Sequence, residues 1–170
     1  QMCIRDRSIT VVATGPSVLA QPQNHWFVTI GGSSNEGAYG VAYDGTYLYV
    51  TGYIESYGGP DDDIFLAKLD LNGNVEWYRV IDTNDDSWGR RIVYSGGYLY
   101  LTGYFNNEVF LAKLQTNGSI VWFKHIENDG WGNDIYVDEE GNIYVTGRYQ
   151  QSPGLSGYDA FIAKFSPDGA

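Results

Sequence analysis

Cysteine, histidine and positive charge are all scarce in this 170-residue chain, with one Cys, two His and ten Lys or Arg. With Cys3 alone, neither an internal disulfide nor a cysteine-based metal site can form. His25 and His125 fall at different points of the repeat described below, a poor arrangement for a shared metal ion. Against the ten basic residues stand 21 Asp and Glu, a net charge of −11. Nucleic acid and anionic membranes both call for a basic surface, so neither is an expected partner. No stretch has the apolar spacing of an amphipathic helix or the length of a membrane span, so membrane insertion is not expected. Gly-x-Ser-x-Gly, a Cys/His dyad and a glycine-rich phosphate loop leading into a helix are absent. Asp61-Asp62-Asp63 lacks the alternating oxygen ligands and closing Glu of a calcium loop and reads as a solvated acidic loop. The expectation is a chain with no bound metal or cofactor and no catalytic constellation.

Tyr and Gly, by contrast, are plentiful at 15 and 22 residues, the balance of many short strands joined by tight turns. The chain also repeats itself. Tyr49-Val50-Thr51-Gly52 returns as Tyr100-Leu101-Thr102-Gly103 and Tyr144-Val145-Thr146-Gly147. Phe65-Leu66-Ala67-Lys68-Leu69 returns as Phe110-Leu111-Ala112-Lys113-Leu114 and Phe161-Ile162-Ala163-Lys164-Phe165. The Gly steps are 51 and 44 residues and the Lys steps 45 and 51, the period of one propeller blade or solenoid coil.

Each repeat divides into four short runs. In the first, strand A is expected at Gly40–Tyr43, B at Tyr47–Tyr53, C at Asp63–Asp70 and D at Val75–Ile81. The A–B connections are Asp44-Gly45-Thr46, Ser95-Gly96-Gly97 and Asp138 to Asn142. The C–D connections are Asn72-Gly73, Asn117-Gly118 and Asp168-Gly169, whose glycines supply the positive φ of hairpin turns. Strand C is apolar at successive positions, so both its faces must be covered, as in a ring of blades. Trp26, Trp77 and Trp122 recur near the start of strand D and read as wedges between blades. Asp63/Lys68, Glu108/Lys113 and Asp159/Lys164 lie five apart, on opposite sides of strand C, and read as contacts to neighbouring blades.

Asp-x-Phe-Leu-Ala-Lys-Leu, then Asn-Gly-x-x-x-Trp, then x-Tyr-Val-Asp-x-x-Gly-Asn-Ile-Tyr-Val-Thr-Gly resembles the bacterial and archaeal beta-propeller repeat called SBBP, over Trp26 to Ala170. The resemblance implies an all-β propeller of about seven blades in exported or cell-surface proteins, with no common activity. A second similarity is to the tryptophan-docking motif of pyrroloquinoline-quinone dehydrogenases, carried by Ala67-x-Leu69-x-x-Asn72-Gly73-x-x-x-Trp77 and again by Ala112 to Trp122. Leu69 and Leu114 stand where that motif has Asp, and Asn72 and Asn117 where it has Thr.

Residues 1–8 resemble an adapter scar. Residues 9–24 hold an apolar, small-residue stretch in which Val18-Leu19-Ala20 has the pattern of a secretory cleavage site, so they read as a truncated signal peptide or as an extra strand. Residues 25–170 are the expected partial propeller: two complete four-stranded blades with a partial blade at each end. An open blade face exposes large side chains worth about 1.5–3 kcal/mol each when buried. Its expected partners are the remaining blades of a parent chain or another copy of itself.

The B–C and D–A connections share the end of the blades opposite the tight turns. The B–C loops are expected at Ile54–Asp62, Asn106-Asn107 and Tyr149–Tyr158, rich in Tyr, Gly, Ser and Asp, a composition suited to adaptable binding. The D–A loops repeat Asp86-Ser87-Trp88-Gly89 as Asp129-Gly130-Trp131-Gly132. Trp88 and Trp131 either cap the space between blades or stack on a ligand. With Asp86, Asp129, Arg90 and Asp134 they form the candidate site for a glycan or protein. The leading expectation is a non-enzymatic binding or scaffold module. The alternatives are a quinone-dependent dehydrogenase-like propeller and a polysaccharide-active enzyme using Asp86, Asp129 or Asp134, which would need two carboxylates at a working separation.

Overall fold

The computed structural model describes residues 3–5, 11–13, 25–32, 34–55, 61–82, 85–150 and 157–170. The Val18-Leu19-Ala20 pattern and the middles of the first and third B–C connections (56–60 and 151–156) lie outside them. The thirteen strands among these residues are β1 (Cys3–Arg5), β2 (Val11–Ala13), β3 (Val28–Ile30), β4 (Glu36–Tyr43), β5 (Leu48–Ile54), β6 (Asp63–Leu69) and β7 (Val75–Asp82), followed by β8 (Ser87–Ser95), β9 (Tyr98–Phe105), β10 (Glu108–Gln115), β11 (Ile120–Val137), β12 (Ile143–Tyr149) and β13 (Asp159–Phe165). They pair antiparallel in the orders β1-β7-β6-β5-β4 and β13-β12-β11-β10-β9-β8, with β2-β3 a separate pair.

The first blade is β4 to β7, with β1 added outside β7. The second is β8, β9, β10 and the first part of β11. The third is the remainder of β11 with β12 and β13. β11 therefore serves as the outermost strand of one blade and the innermost strand of the next. This corrects the expected D–A loops, because Trp88 and Trp131 lie within paired strands, Trp88 opposite Tyr104 and Trp131 opposite Arg148. Strand A correspondingly starts at Glu36 in the first blade, four residues earlier than Gly40.

The physical reason is the Thr-Gly pair of the repeated motif. Every strand A bulges at the same place, between Ala38 and Gly40, Gly89 and Arg91, and Gly132 and Asp134. A bulge bends its strand and redirects the neighbouring backbone. Here it drives a carbonyl into strand B. A Cβ on Gly103 would lie 2.0 Å from the Trp88 carbonyl oxygen, and one on Gly147 would lie 2.0 Å from that of Trp131. Only glycine fits, so the ladder runs on past the bulge and absorbs what composition marks as a loop.

The threonine joins blades. Thr51 and Thr102 are fully buried, and their Oγ1 atoms donate to the carbonyls of Phe65 and Phe110 at 2.9 and 2.7 Å. Each hydroxyl packs on the next blade's strand A, where a Cβ on Gly89 or Gly132 would fall 2.1 Å from it. Ile64 and Leu66 of the first blade cover Leu99, Leu101 and Phe110 of the second. Tyr100 and Leu111 of the second cover Ile135 and Val145 of the third. Strand C is buried on both faces in the first two blades, as its continuous apolar run requires.

The outer-strand indoles act as wedges at the opposite rim. Those of Trp26, Trp77 and Trp122 sit 2.9, 3.2 and 3.2 Å from where a Cβ would stand on Gly73, Gly118 and Gly169, the turn glycines of the following blade. These glycines have φ of 86°, 84° and 80°. The recurring lysines behave differently from expectation. Lys68, Lys113 and Lys164 lie over the Tyr47, Tyr98 and Tyr144 rings at 3.7, 4.3 and 5.5 Å, within their own blades. Lys113 also donates to the Pro167 carbonyl of the third blade at 3.3 Å. A stem that crosses an aromatic face keeps its ammonium wet while shielding apolar surface.

Gly103→Ala should lower stability by about 3 kcal/mol, measured by denaturant unfolding. Gly96→Ala, at φ 58° with nothing near its Cβ position, should cost only about 1–2 kcal/mol. Equal losses would show that the Trp88 carbonyl shifts to admit a Cβ and does not by itself fix the glycine.

Candidate binding face

The bulge on strand A decides what stands at this end of the blades. The tryptophan just before it reaches the preceding blade, and the residue after the Thr-Gly pair stands directly opposite on strand B. In the second blade these are Trp88 and Tyr104, and in the third Trp131 and Arg148. In the first blade Gly37 replaces the tryptophan, and the Tyr53 ring fills the space, 2.4 Å from where a Gly37 Cβ would be.

The result is a continuous aromatic row across all three blades. Tyr39 meets Tyr53 at a centroid distance of 5.7 Å, and Tyr53 meets Trp88 edge-on at 6.4 Å. Trp88 stacks on Tyr104 at 5.0 Å, and Tyr104 stacks on Trp131 at 5.2 Å, with planes 25° and 14° apart. Trp131 then meets Tyr158 edge-on at 5.2 Å, and the Arg148 guanidinium lies 4.4 Å from Trp131 and 5.0 Å from Tyr158. Offset-stacked and edge-on pairs at such spacings each add about 0.5–1.5 kcal/mol beyond their buried area.

Polar atoms along the row are unevenly satisfied. Trp88 Nε1 donates to Asp62 Oδ2 at 2.7 Å, so the second blade is tied to the first blade's B–C corner. Tyr104 donates its hydroxyl hydrogen to Asn107 Oδ1. Asn106 and Asn107 turn the second B–C connection with φ of 49° and 65°, a left-handed pair that Asn tolerates well. Trp131 Nε1 is enclosed and has no acceptor among the described residues. Burial raises the Asp62 carboxyl above the ordinary range, partly offset by the Trp88 bond and reinforced by Asp86, Glu55 and Asp61 nearby.

The six sequence-predicted residues separate into two groups. Trp88 and Trp131 are brought together through Tyr104. Asp86 and Asp129 are exposed beside them: Asp86 Oδ1 accepts the Asp62 backbone N–H at 3.1 Å, and the Asp129 carbonyl accepts the Gln150 N–H at 2.7 Å. Arg90 and Asp134 sit further along the innermost strands, where β4 and β8 nearly touch. Arg90 Nη1 donates to Asn133 Oδ1 at 3.0 Å, and Asp134 pairs with Arg91 at 2.9 Å. Asp62, Tyr104, Arg148 and Tyr158 belong to the face without having been singled out, although Asp62 and Tyr158 end two of the expected B–C loops. The signal for two of them was present, since Tyr104 and Arg148 each directly follow a Thr-Gly pair.

Four-stranded antiparallel blades, stacked face to back with their innermost strands in contact, define a β-propeller type of architecture. Residues 125–148, running from β11 through the A–B turn into β12, match the SBBP family model, a beta-propeller repeat. This stretch contains the bulged strand, Trp131 and the Thr146-Gly147 pair. A comparison with curated proteins gave no match.

Because the Asp62 carboxyl is raised above its unfolded value of about 3.9, the folded state holds its proton more tightly. The group therefore favours folding below that value and opposes it as pH rises through the folded pKa. Asp62→Asn keeps an oxygen to accept the Trp88 N–H. It should match or exceed the wild type in stability at pH 7 and lose that margin on acidification through the carboxylate range. A variant markedly weaker at pH 7 would show that the charge on Asp62 strengthens the Trp88 bond more than burial penalises it.

Proposed function

We propose that this chain is a non-enzymatic binding module whose aromatic end meets a glycan or a protein surface. The β-propeller repeat supplies a rigid scaffold, and binding residues on such scaffolds concentrate where the connections gather. The observation that carries the reading is the open end of the aromatic row. Trp88 and Tyr104 are committed to stacking on each other, whereas at the Trp131 end Arg148 and Tyr158 are exposed. An aromatic surface beside the exposed Arg148 guanidinium and Asp129 carboxylate suits a polyhydroxylated or amide-rich ligand, which offers C–H faces and hydrogen-bonding groups together. With a net charge of −11, neutral or basic ligands are favoured over anionic ones.

In this reading Trp131, Tyr158 and Arg148 make contact while Trp88 and Asp62 hold the row in place. An exported or cell-surface setting is part of the proposal, and it rests on the resemblance and on the small-residue pattern at Val18-Leu19-Ala20.

A panel of neutral glycans and candidate surface proteins should yield a ligand whose affinity falls at least about tenfold, roughly 1.4 kcal/mol, on Trp131→Ala or Tyr158→Ala, with circular dichroism unchanged. If both variants bind every ligand as the wild type does, the face is not the binding site.

A further inference from the structure

Each innermost strand carries one residue that the ladder leaves out. Tyr39 falls between Ala38, paired with Gly52, and Gly40, paired with Thr51. Arg90 falls in the same way between Gly89 and Arg91, and Asn133 between Gly132 and Asp134. A bulge of this kind frees the extra side chain from the sheet and re-aims it. The three meet across blades. The Arg90 guanidinium lies 6.0 Å from the centre of the Tyr39 ring, and its Nη1 donates to Asn133 Oδ1 at 3.0 Å. The opposing Thr-Gly pair repeats from blade to blade, but the bulge residues do not. An aromatic, a cation and an amide occupy equivalent positions, so the backbone there does not dictate their chemistry. Because strand A is innermost in every blade, the row runs beside the axis around which the blades are arranged.

We propose that this row is a binding site of its own, for a saccharide that carries a carboxylate, with Arg90 as the group that grips the carboxylate. In a chain with 21 Asp and Glu against ten Lys and Arg, Arg90 has no carboxylate within ion-pair distance among the described residues. Asp134 of the neighbouring blade is instead taken by Arg91 at 2.9 Å. Arg90 Nε is enclosed and donates to nothing among the described residues, so it holds no part of a ligand. Nη1 is anchored on Asn133, while Nη2 makes no hydrogen bond among those residues. The Nη2 hydrogens and an uncompensated charge are therefore left for a carboxylate, to which charge-assisted bonds are short and strong. Asn133, whose Oδ1 is engaged, offers amide N–H groups to hydroxyls, and Tyr39 offers a ring to a C–H face. A uronic acid presents these three features together, whereas an acidic peptide side chain calls only for the cation. The preference is opposite to that of the Trp131 face. There the net charge acts at long range, and here one guanidinium acts at contact distance.

Titration calorimetry of the full chain with oligomers of galacturonic and glucuronic acid, and with their methyl esters, tests the site. At least one acid should bind, and its ester should bind at least about tenfold more weakly, roughly 1.4 kcal/mol. Arg90→Met, which keeps an unbranched stem and removes the charge, should lose the binding, and Arg90→Lys should keep only part of it. The decisive variant is Asn133→Asp. It sets a carboxylate where Oδ1 already accepts from Arg90, so the guanidinium is neutralised within the fold. The acid should then bind at least about tenfold more weakly, roughly 1.4 kcal/mol, while the melting temperature stays level or rises. An Arg90 that only bridges blades would leave that variant binding as the wild type does. Tyr158→Ala should leave uronate binding intact, which separates this site from the Trp131 face. No binding of any acid, equal affinity for acid and ester, or binding indifferent to Arg90→Met and Asn133→Asp would each overturn the proposal. So would equal capture of an Asp-rich peptide, or loss of uronate binding in Tyr158→Ala.

Discussion

A single steric constraint underlies the array: a bulged innermost strand pushes its carbonyl into strand B at a point where no side chain fits. The glycine there admits the carbonyl, and the threonine before it reaches its own strand C with its hydroxyl while resting on a glycine of the next blade. Two residues thus set the distance within a blade and the distance between blades. Everything at the aromatic end follows from the bulge. It places Trp88 of the same blade and Trp131 of the next on Tyr104 at 5.0 and 5.2 Å, so rings from separate blades come into stacking register.

The opposite rim is held by a different chemistry. There, indoles lie under turn glycines, and lysine stems lie across tyrosine rings. Asp44, Asp70 and Asp138 accept backbone N–H groups of their own turns at 2.7–3.0 Å. The Asn74 and Asn142 amides hold the Asp70 and Asp138 carboxyls below the ordinary range, helped by those backbone bonds. The turn carboxylates here are satisfied locally, while Trp77 Nε1 is enclosed with no acceptor among the described residues. At the aromatic end, satisfaction crosses from blade to blade, as the Trp88–Asp62 bond shows, and one donor is left over.

Much of the architecture was legible in the sequence because it depends on local rules. The period, the turn glycines and the doubly apolar strand C each map onto a strand, a positive φ or a buried face. Where the reading failed, the cause was non-local. Asp129-Gly130 has the composition of a turn, yet it lies inside β11 because the ladder to β12 continues through it. The lysines were expected to reach neighbouring blades, but the cross-strand register placed tyrosine opposite them within their own blades. Trp88 and Trp131 could be selected by repetition, whereas Asp62 and Tyr158 could not. Their relation to the tryptophans exists only after separate blades have packed.

The unbroken course of β11 gives the array a mechanical property that simple stacked repeats lack. In a solenoid or propeller of independent units, each repeat can open while its neighbours persist, because stability is a sum of unit and junction terms. Here the second blade's outer strand and the third blade's inner strand are one length of backbone. Peeling the third blade away would strain the Glu108–Asp129 pairing that ends the β10–β11 ladder, which ties the opening of the two blades together. Trp131 sits on this shared strand, so a ligand held there restrains two blades at once.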